Sequence, residues 1–239
     1  MAQTLPAGPR PRRADMVRAM KHLGRDLYQI QLTPRQAVNA YLVGDVLVDC
    51  GYPMNWKRLN RELGGASPKF HALTHAHADH AGNSRRLKEE RGLEVWVGEN
   101  DREVLASGQP EPGEVRAGRS LLRRYMTFSG VEADRLLKAG DELDAGFVVI
   151  DTPGHAPGHV SFWREQDRTL ICGDVFFNMN MATTAPGLHQ PPGMFTPDPE
   201  RNRQSERDLA GLEPALVLFG HGPPLRDPEK LRGFADRAA

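Results

Sequence analysis

The sequence predicts an α/β or α+β domain in which helices cover the outside of a mixed β-sheet core. Short apolar segments of strand length alternate along the chain with segments of helical character. Neighbouring strand segments are joined at Gly44-Asp45 by a tight turn, which is typical of antiparallel hairpins. The 239 residues, of which 39% are hydrophobic, are enough to build one sizeable core.

The N-terminal half begins with a segment rich in proline and arginine, which we predict to be a flexible tail over residues 1–20. A single domain is predicted over residues 21–239. Its strands are runs of β-branched, aromatic and other apolar residues, and its helices end at glycines. In chain order the predicted elements are strands at 27–32, 38–43 and 46–49, a helix at 55–63, a strand at 70–74, a helix at 82–90, a strand at 93–97 and a helix at 100–106.

The C-terminal half contains two long irregular segments between its predicted strands and helices. Residues 108–128 are rich in Gly, Pro and Arg and predict a loop or a lid, and residues 178–197 predict a second long loop. Asp198-Pro199 and Asp227-Pro228 each predict the start of a helix, because aspartate caps a helix N-terminus and proline suits its first position. The predicted strands of this half lie at 141–151, 160–163, 169–172 and 215–219.

The composition limits the classes of function. Lys+Arg and Asp+Glu both total 31, and this neutral balance disfavours a nucleic-acid partner, whose phosphates attract a basic excess. No run approaches 18 apolar residues, and Met1 to Arg13 lacks the apolar stretch of a signal peptide. These observations predict a cytoplasmic protein with a small-molecule substrate and no membrane partner. Cys50 and Cys172 lie in strand-like apolar runs and are predicted to be core residues without a disulfide.

The segment from His75 to His80, which reads His-Ala-His-Ala-Asp-His, carries the strongest chemical signal and lies between a predicted strand and a predicted helix. The side chains of residues two apart in an extended chain point to the same side, so His75 and His77 can bind one metal ion. Asp79 and His80 fall at the turn into the helix, where they can face a second ion. Without metal, three imidazoles and a carboxylate in six positions would leave many polar groups unsatisfied. The residues alone therefore predict a metal site suited to Zn²⁺ and also to Fe or Mn.

This pattern resembles the signature of the metallo-β-lactamase superfamily, and other segments in the expected order extend the resemblance over about residues 27–225. Thr152–His159 is similar to the family's third ligand segment, Cys172-Gly173-Asp174 to the place of its bridging aspartate, and Gly220-His221-Gly222 to that of its last histidine. The resemblance implies a four-layer αββα sandwich of two mixed β-sheets flanked by helices. It also implies two divalent metal ions, the first held by His75, His77 and His155, the second by Asp79, His80 and His221, and both bridged by Asp174.

The resemblance further implies a dinuclear zinc-dependent hydrolase, in which a metal-bound hydroxide attacks an ester, thioester or lactone. Asp79 and Asp174 would orient the attacking water as well as ligate the metals. True β-lactamases of this fold typically lack an aspartate at the place of Asp174. Familiar acyl-homoserine lactonases carry a tyrosine where Phe176 and Phe177 stand here, and glyoxalase II has a helical C-terminal domain, whereas this chain ends about 18 residues after His221. These departures count against those three specific activities.

Three other functions stay open as alternatives. A mononuclear iron oxygenase similar to the persulfide dioxygenases would use His75, His77 and His155 and leave the second site empty. A phosphodiesterase would use both sites, although the neutral charge disfavours nucleic acid as its substrate. A binding protein without catalysis would keep the fold alone, and the complete set of ligand positions argues against it.

The sequence leaves the substrate-binding residues undecided. The loop after Asp174 is apolar, and its side chains fit equally well as a pocket wall for a greasy group or as packing of the loop: Phe176, Phe177, Met179, Met181, Met194 and Phe195. The segment Arg123-Arg124-Tyr125 is a candidate for binding a carboxylate or a phosphate. His159 is expected to support the metal site, and the remaining histidines are expected to be ordinary core or surface residues: His22, His71 and His189.

Overall fold

The computed structural model describes residues 20–110 and 125–237, and its larger sheet has seven strands that follow one another in chain order. Its first four strands pair antiparallel and its last four pair in parallel. These strands are β1 (Lys21–Gly24), β2 (Leu27–Gln31), β3 (Asn39–Val43), β4 (Val46–Val48), β5 (Phe70–Ala72), β6 (Glu94–Gly98) and β7 (Arg135–Leu137). The predicted tail, apart from Met20, and most of the predicted lid at 108–128 lie outside the described residues.

The smaller sheet has four strands in the order β13, β10, β9, β8, with β10 and β13 parallel and the other pairs antiparallel. A separate two-stranded ribbon pairs β11 with β12. The strands of this half are β8 (Val148–Asp151), β9 (Val160–Arg164), β10 (Thr169–Gly173), β11 (Phe177–Met179), β12 (Pro186–His189) and β13 (Leu216–Phe219).

Helices cover the outer faces of both sheets and complete four layers. Between the sheets, Val48 and Trp96 of the larger one belong to the same buried cluster as Phe162 of the smaller one. The outer face of the larger sheet packs on α1 (Trp56–Leu63) and α3 (Ser84–Arg91), and that of the smaller sheet on α5 (Pro199–Gly211) and α6 (Pro228–Arg237). Two shorter helices, α2 (Ala78–Ala81) and α4 (Arg102–Ser107), follow β5 and β6 along the chain. The predicted αββα sandwich is therefore confirmed.

Most predicted elements are present within a few residues of their expected ends, but four strands were missed. The prediction of one long loop over 178–197 is wrong, because part of this segment forms the ribbon of β11 and β12. β12 contains Pro186 and Gly187, residue types that are depleted in strands, so local pattern does not reveal it. β1 and β7 were also not predicted, because β1 is polar and partly exposed and β7 is only three residues long.

Both predicted aspartate helix starts are confirmed. The Asp198 carboxylate accepts a hydrogen bond from the backbone N–H of Arg201 at 2.9 Å, and Asp227 accepts one from that of Lys230 at 2.9 Å. Each bond satisfies a donor that the first turn of a helix leaves without a partner.

Among the described residues, none of the helices combines the length and the apolar character needed to cross a lipid bilayer.

Glu206 on α5 is a carboxyl group that the fold removes entirely from solvent. It accepts hydrogen bonds from Asn202 Nδ2 at 3.0 Å and Gln190 Nε2 at 3.4 Å. Burial nevertheless raises the pKa of Glu206 from 4.5 to about 7. The folded protein therefore holds this proton more tightly than the unfolded chain does, so the stability that the group contributes is fully present below about pH 4.5 and is lost as the pH rises through about 7.

We expect Glu206→Gln to be more stable than the wild-type protein at pH 8, by up to about 3 kcal/mol, because the amide carries no charge to bury. The difference should shrink as the pH falls from 7 towards 4.5. Chemical denaturation of both proteins across this range measures it. Glu200→Gln, at an exposed position on the same helix, is the control and should change stability by less than about 0.5 kcal/mol. A difference that does not vary with pH would contradict this account.

Candidate metal centre

The seven candidate ligands lie together at one edge of the sandwich, where several strands end. His75 and His77 follow β5 in an extended segment, and α2 carries Asp79 and His80. The remaining three side chains come from the β8–β9 loop and from the ends of β10 and β13, in the order His155, Asp174 and His221. All the predicted site residues are thus brought to one place, although they span almost 150 positions of the chain.

The first group consists of His75, His77 and His155. His77 Nδ1 lies 3.0 Å from His75 Nε2 and 3.0 Å from His155 Nε2. Nitrogen ligands about 2.0–2.1 Å from a tetrahedral zinc ion are separated by about 3.3 Å, so these distances suit donors that share one ion. His75 and His155 are buried, while His77 is half-buried and lines the cleft described below.

The second group consists of Asp79, His80 and His221, whose candidate donor atoms lie within 4.8 Å of one another. His221 Nε2 is 3.2 Å from Asp79 Oδ2, and His80 Nε2 is 3.9 Å from the same oxygen. One carboxylate and two imidazoles form a mixed oxygen and nitrogen donor set, which suits a borderline cation such as zinc or iron.

Asp174 lies between the two groups. Its Oδ2 atom is 3.0 Å from His221 Nε2 and 3.4 Å from His80 Nε2 on one side. On the other side it is 3.5 Å from His155 Nε2 and 4.0 Å from His75 Nε2. A single carboxylate oxygen therefore faces donors of both groups, which is the position that a bridging ligand requires.

Two buried polar atoms of this cluster fit a metal centre better than a metal-free core. His80 Nε2 and Asp174 Oδ1 have no hydrogen-bond partner among the described residues. Leaving such atoms unpaired costs about 1–3 kcal/mol each, so native proteins usually supply them with a partner or an ion. Gly220 also makes room for the cluster, because a Cβ atom there would lie 2.6 Å from His80 Cε1 and still closer to Asp174 Oδ1.

Burial and charge divide the histidines into two kinds. Burial lowers the pKa values of His75 and His155, aided by the neighbouring imidazoles, so both are neutral at pH 7 and have a free lone pair. Burial opposes protonation of His221 as well, but Asp174 and Asp79 outweigh it and raise its pKa to about 10. The pKa of His80 is raised in the same way. The carboxylate side of the site thus attracts positive charge, which a cation can supply in place of protons.

Asp49 and Thr74 support the cluster, and sequence reasoning assigned them no role. Asp49 accepts a hydrogen bond from His80 Nδ1 at 2.8 Å and another from the Thr74 hydroxyl at 2.9 Å. Thr74 Oγ1 in turn lies 3.1 Å from His75 Nδ1. With Nδ1 of each ring donating to these oxygens, Nε2 of His75 and of His80 is left free to ligate. The available signal in the sequence was an aspartate directly after the apolar strand Val46–Val48, and in the structure Asp49 lies in the left-handed region at φ 58°.

The other histidines are oriented in the same manner. His155 Nδ1 lies 3.1 Å from the Thr196 hydroxyl, and His221 Nδ1 donates to the carbonyl oxygen of Ala37. His159 stays outside both groups, accepts the backbone N–H of Asp174 at 3.1 Å and contacts Thr152 Oγ1 at 2.8 Å. The structure thus places His159 behind the bridging aspartate, in the supporting position expected for it.

A cleft opens over the candidate ligands. Of the apolar side chains left undecided by the sequence, Phe177, Met181 and Phe195 line this cleft. Phe176 instead packs in the core beneath α5 and α6. Tyr52 also lines the cleft and was not predicted. Tyr125 lines it as well, whereas the neighbouring arginines of the predicted anion-binding segment lie outside the described residues.

Comparison with known proteins gives one family model, described as the metallo-beta-lactamase superfamily, which matches residues 33–221. A probable metallo-hydrolase of Bacillus subtilis, YflN, is 31% identical over 75% of this chain and 76% of its own length. The hydroxyacylglutathione hydrolase GloC of Haemophilus influenzae is 30% identical over 47% of this chain and 51% of its own length.

Solved structures share the architecture. The protein TTHA1623, in a di-iron-bound form, matches with a TM-score of 0.62 and 31% identity over 88% of this chain and 97% of its own. The subclass B3 metallo-β-lactamase BJP-1 of Bradyrhizobium japonicum matches with a TM-score of 0.67 over 92% of this chain and 90% of its own. At 20% identity, this second likeness shows the fold alone.

Proposed function

The chain belongs to the metallo-β-lactamase superfamily, a superfamily of metallo-hydrolases, and we propose that it uses two metal ions to hydrolyse an ester, thioester or lactone. Zn²⁺ is the metal that we propose, with Fe and Mn as alternatives, because imidazole and carboxylate donors suit all three. Asp79 and Asp174 are the proposed catalytic residues, in addition to their proposed role as ligands.

The position of Asp174 is the observation that carries this proposal. One of its oxygens faces histidines of both groups, and its other oxygen is buried without a partner among the described residues. A buried carboxylate in such surroundings would be costly unless it neutralised cations. Asp174 would neutralise two cations if each group of donors held one ion. The first ion would be held by His75, His77 and His155, and the second by Asp79, His80 and His221.

The protein residues prepare the site for attack on a carbonyl. When bound, a pair of metal ions lowers the pKa of water and polarises the substrate carbonyl. Asp79 and Asp174 hold their negative charge, since the neighbouring His80 and His221 lower the pKa of both carboxyls against the effect of burial. Each carboxylate can therefore accept a hydrogen bond and orient the attacking water.

Phe177 and Tyr52 shape the environment of the reaction. The Phe177 ring lies 4.4 Å from that of His221, centroid to centroid, and screens this ligand from solvent. Tyr52 lies beside Asp79, whose negative charge raises the pKa of the phenol, so the hydroxyl keeps its proton at neutral pH. This hydroxyl donates its hydrogen bond to the Asp79 carboxylate, so Tyr52 helps to hold that candidate ligand in place.

The substrate class is supported by relatives and by the site itself. Hydroxyacylglutathione hydrolases are named for hydrolysing a thioester, and GloC matches about half of this chain. A mononuclear iron oxygenase is the main alternative. In such an enzyme Asp79, His80 and His221 would have no metal ion to bind. A phosphodiesterase is a further alternative, but no lysine or arginine occurs among the described residues that line the cleft.

Metal analysis and a substrate screen test the proposal. We expect close to two metal equivalents per chain after reconstitution with zinc, and hydrolysis of at least one ester, thioester or lactone. Removal of the metal by a chelator should abolish this activity, and restored zinc should recover it. Phosphodiesters serve as the comparison class. One equivalent of iron, together with oxygen uptake on a glutathione persulfide, would favour the oxygenase instead and contradict the proposal.

A further inference from the structure

Exposed large hydrophobic side chains of the described residues occur both on the wall of the cleft and outside it. There are four of them, Met54, Tyr125, Met181 and Met194, with exposed fractions of 70%, 54%, 46% and 50%. Tyr125 and Met181 line the cleft directly. Met194 and Met54 do not line it. A concentration of apolar surface at one place commonly marks a binding site.

The apolar surface continues inward to the candidate metal ligands. Phe177, which is only 3% exposed, lines the cleft and packs against the ring of His221. Apart from the candidate ligands, the described lining is apolar except for the hydroxyl groups of Tyr52 and Tyr125. The described lining therefore offers a partner for a hydrocarbon group and, among those residues, none for a second charged group of a substrate.

We infer that the substrate carries an uncharged apolar acyl chain, which lies along the wall formed by Phe177, Met181 and Phe195 while its carbonyl faces the candidate metal ligands. This inference rests on the proposed function, which supplies the scissile carbonyl. The flexible thioether of Met181 can adapt to chains of different length, and its exposed surface would be covered when a chain binds. Each methylene buried in such a wall can raise kcat/KM by up to about fourfold.

A series of p-nitrophenyl esters, from acetate to octanoate, tests the inference with the full-length zinc-reconstituted protein. The leaving group is constant in this series, so only the acyl chain changes. We expect kcat/KM to rise at least about tenfold from butyrate to octanoate. Met181→Gln should lower the ratio of the octanoate value to the acetate value about five- to tenfold. Met194→Gln is the matched control, because Met194 is equally exposed but does not line the cleft, and it should leave the ratio unchanged.

A binding measurement separates this inference from the proposed function. Isothermal titration of decanoate and butyrate into the zinc-loaded protein should show decanoate binding at least about tenfold more tightly, and Met181→Gln should reduce that preference. If no ester, thioester or lactone is hydrolysed but this preference is present, the proposed function fails, whereas the assignment of the apolar wall as a binding surface for an acyl chain stands. If esters are hydrolysed with the same efficiency at every chain length, the inference is overturned and the proposed function stands. A dimer that dissociates on Met181→Gln, without any chain-length preference, would assign the patch to a second copy of the chain and also overturn the inference.

Discussion

An Asp174→Ala variant is expected to lose at least about a thousandfold in kcat/KM for whichever ester, thioester or lactone the protein hydrolyses. The substitution removes the oxygen that lies 3.0 Å from His221 Nε2 and 3.5 Å from His155 Nε2, and with it the negative charge between the two groups of donors. The metal content should fall below two equivalents per chain. Steady-state kinetics and elemental analysis of the same preparation measure both effects.

A matched substitution separates this effect from a general loss of structure. Asp236→Ala removes an exposed carboxylate near the end of α6 that belongs to neither group of candidate ligands, and it should retain full activity and metal. Circular dichroism should show that Asp174→Ala keeps its secondary structure. Unchanged activity of Asp174→Ala at unchanged metal content would remove the proposed mechanism.

A Gly220→Ala variant is expected to lose about a hundredfold in kcat/KM, although it leaves every candidate ligand in the sequence unchanged. The added Cβ atom would lie 2.6 Å from His80 Cε1 and even closer to Asp174 Oδ1, so either the ligands or the β13 end must move. Displacement of reacting groups by about 1 Å can cost this much. Metal titration followed by kinetics on the loaded protein measures the loss.

Gly211→Ala is the control for this second prediction. Gly211 closes α5, and a Cβ atom there meets no other atom within 4 Å. Alanine at that position should leave activity unchanged and shift stability by no more than about 1 kcal/mol. Full activity of Gly220→Ala would mean that the cluster tolerates a displaced Asp174, and the close approach of Gly220 to the ligands would then not matter for function.

The metal-binding motif was readable from the sequence because its members are close neighbours. His75, His77, Asp79 and His80 share one strand end and one turn, and backbone geometry alone determines which of them point together. The later candidate ligands, His155, Asp174 and His221, could be singled out only through the order of motifs in a known family. Their distances from the first four residues were not predictable.

The residues that orient the ligands were beyond local reasoning. Asp49 contacts His80 across 31 positions of the chain, and the carbonyl of Ala37 contacts His221 across 184. Such pairs depend on which strands lie side by side and in which register. The ribbon strand β12 and the division of the apolar loop into cleft wall and core packing depend on the same long-range packing.

The amino-acid sequence by itself determined the class of fold, most helices and strands, and the presence of a metal site, because these follow from periodic burial and from donors crowded into a few positions. Only the tertiary structure decided that Asp174 faces both donor groups, that Asp49 holds His80, and that an apolar wall continues from the ligands to the surface. The physical reason is that two sheets must bury their inner faces against each other, and this packing fixes contacts between residues that the chain keeps far apart.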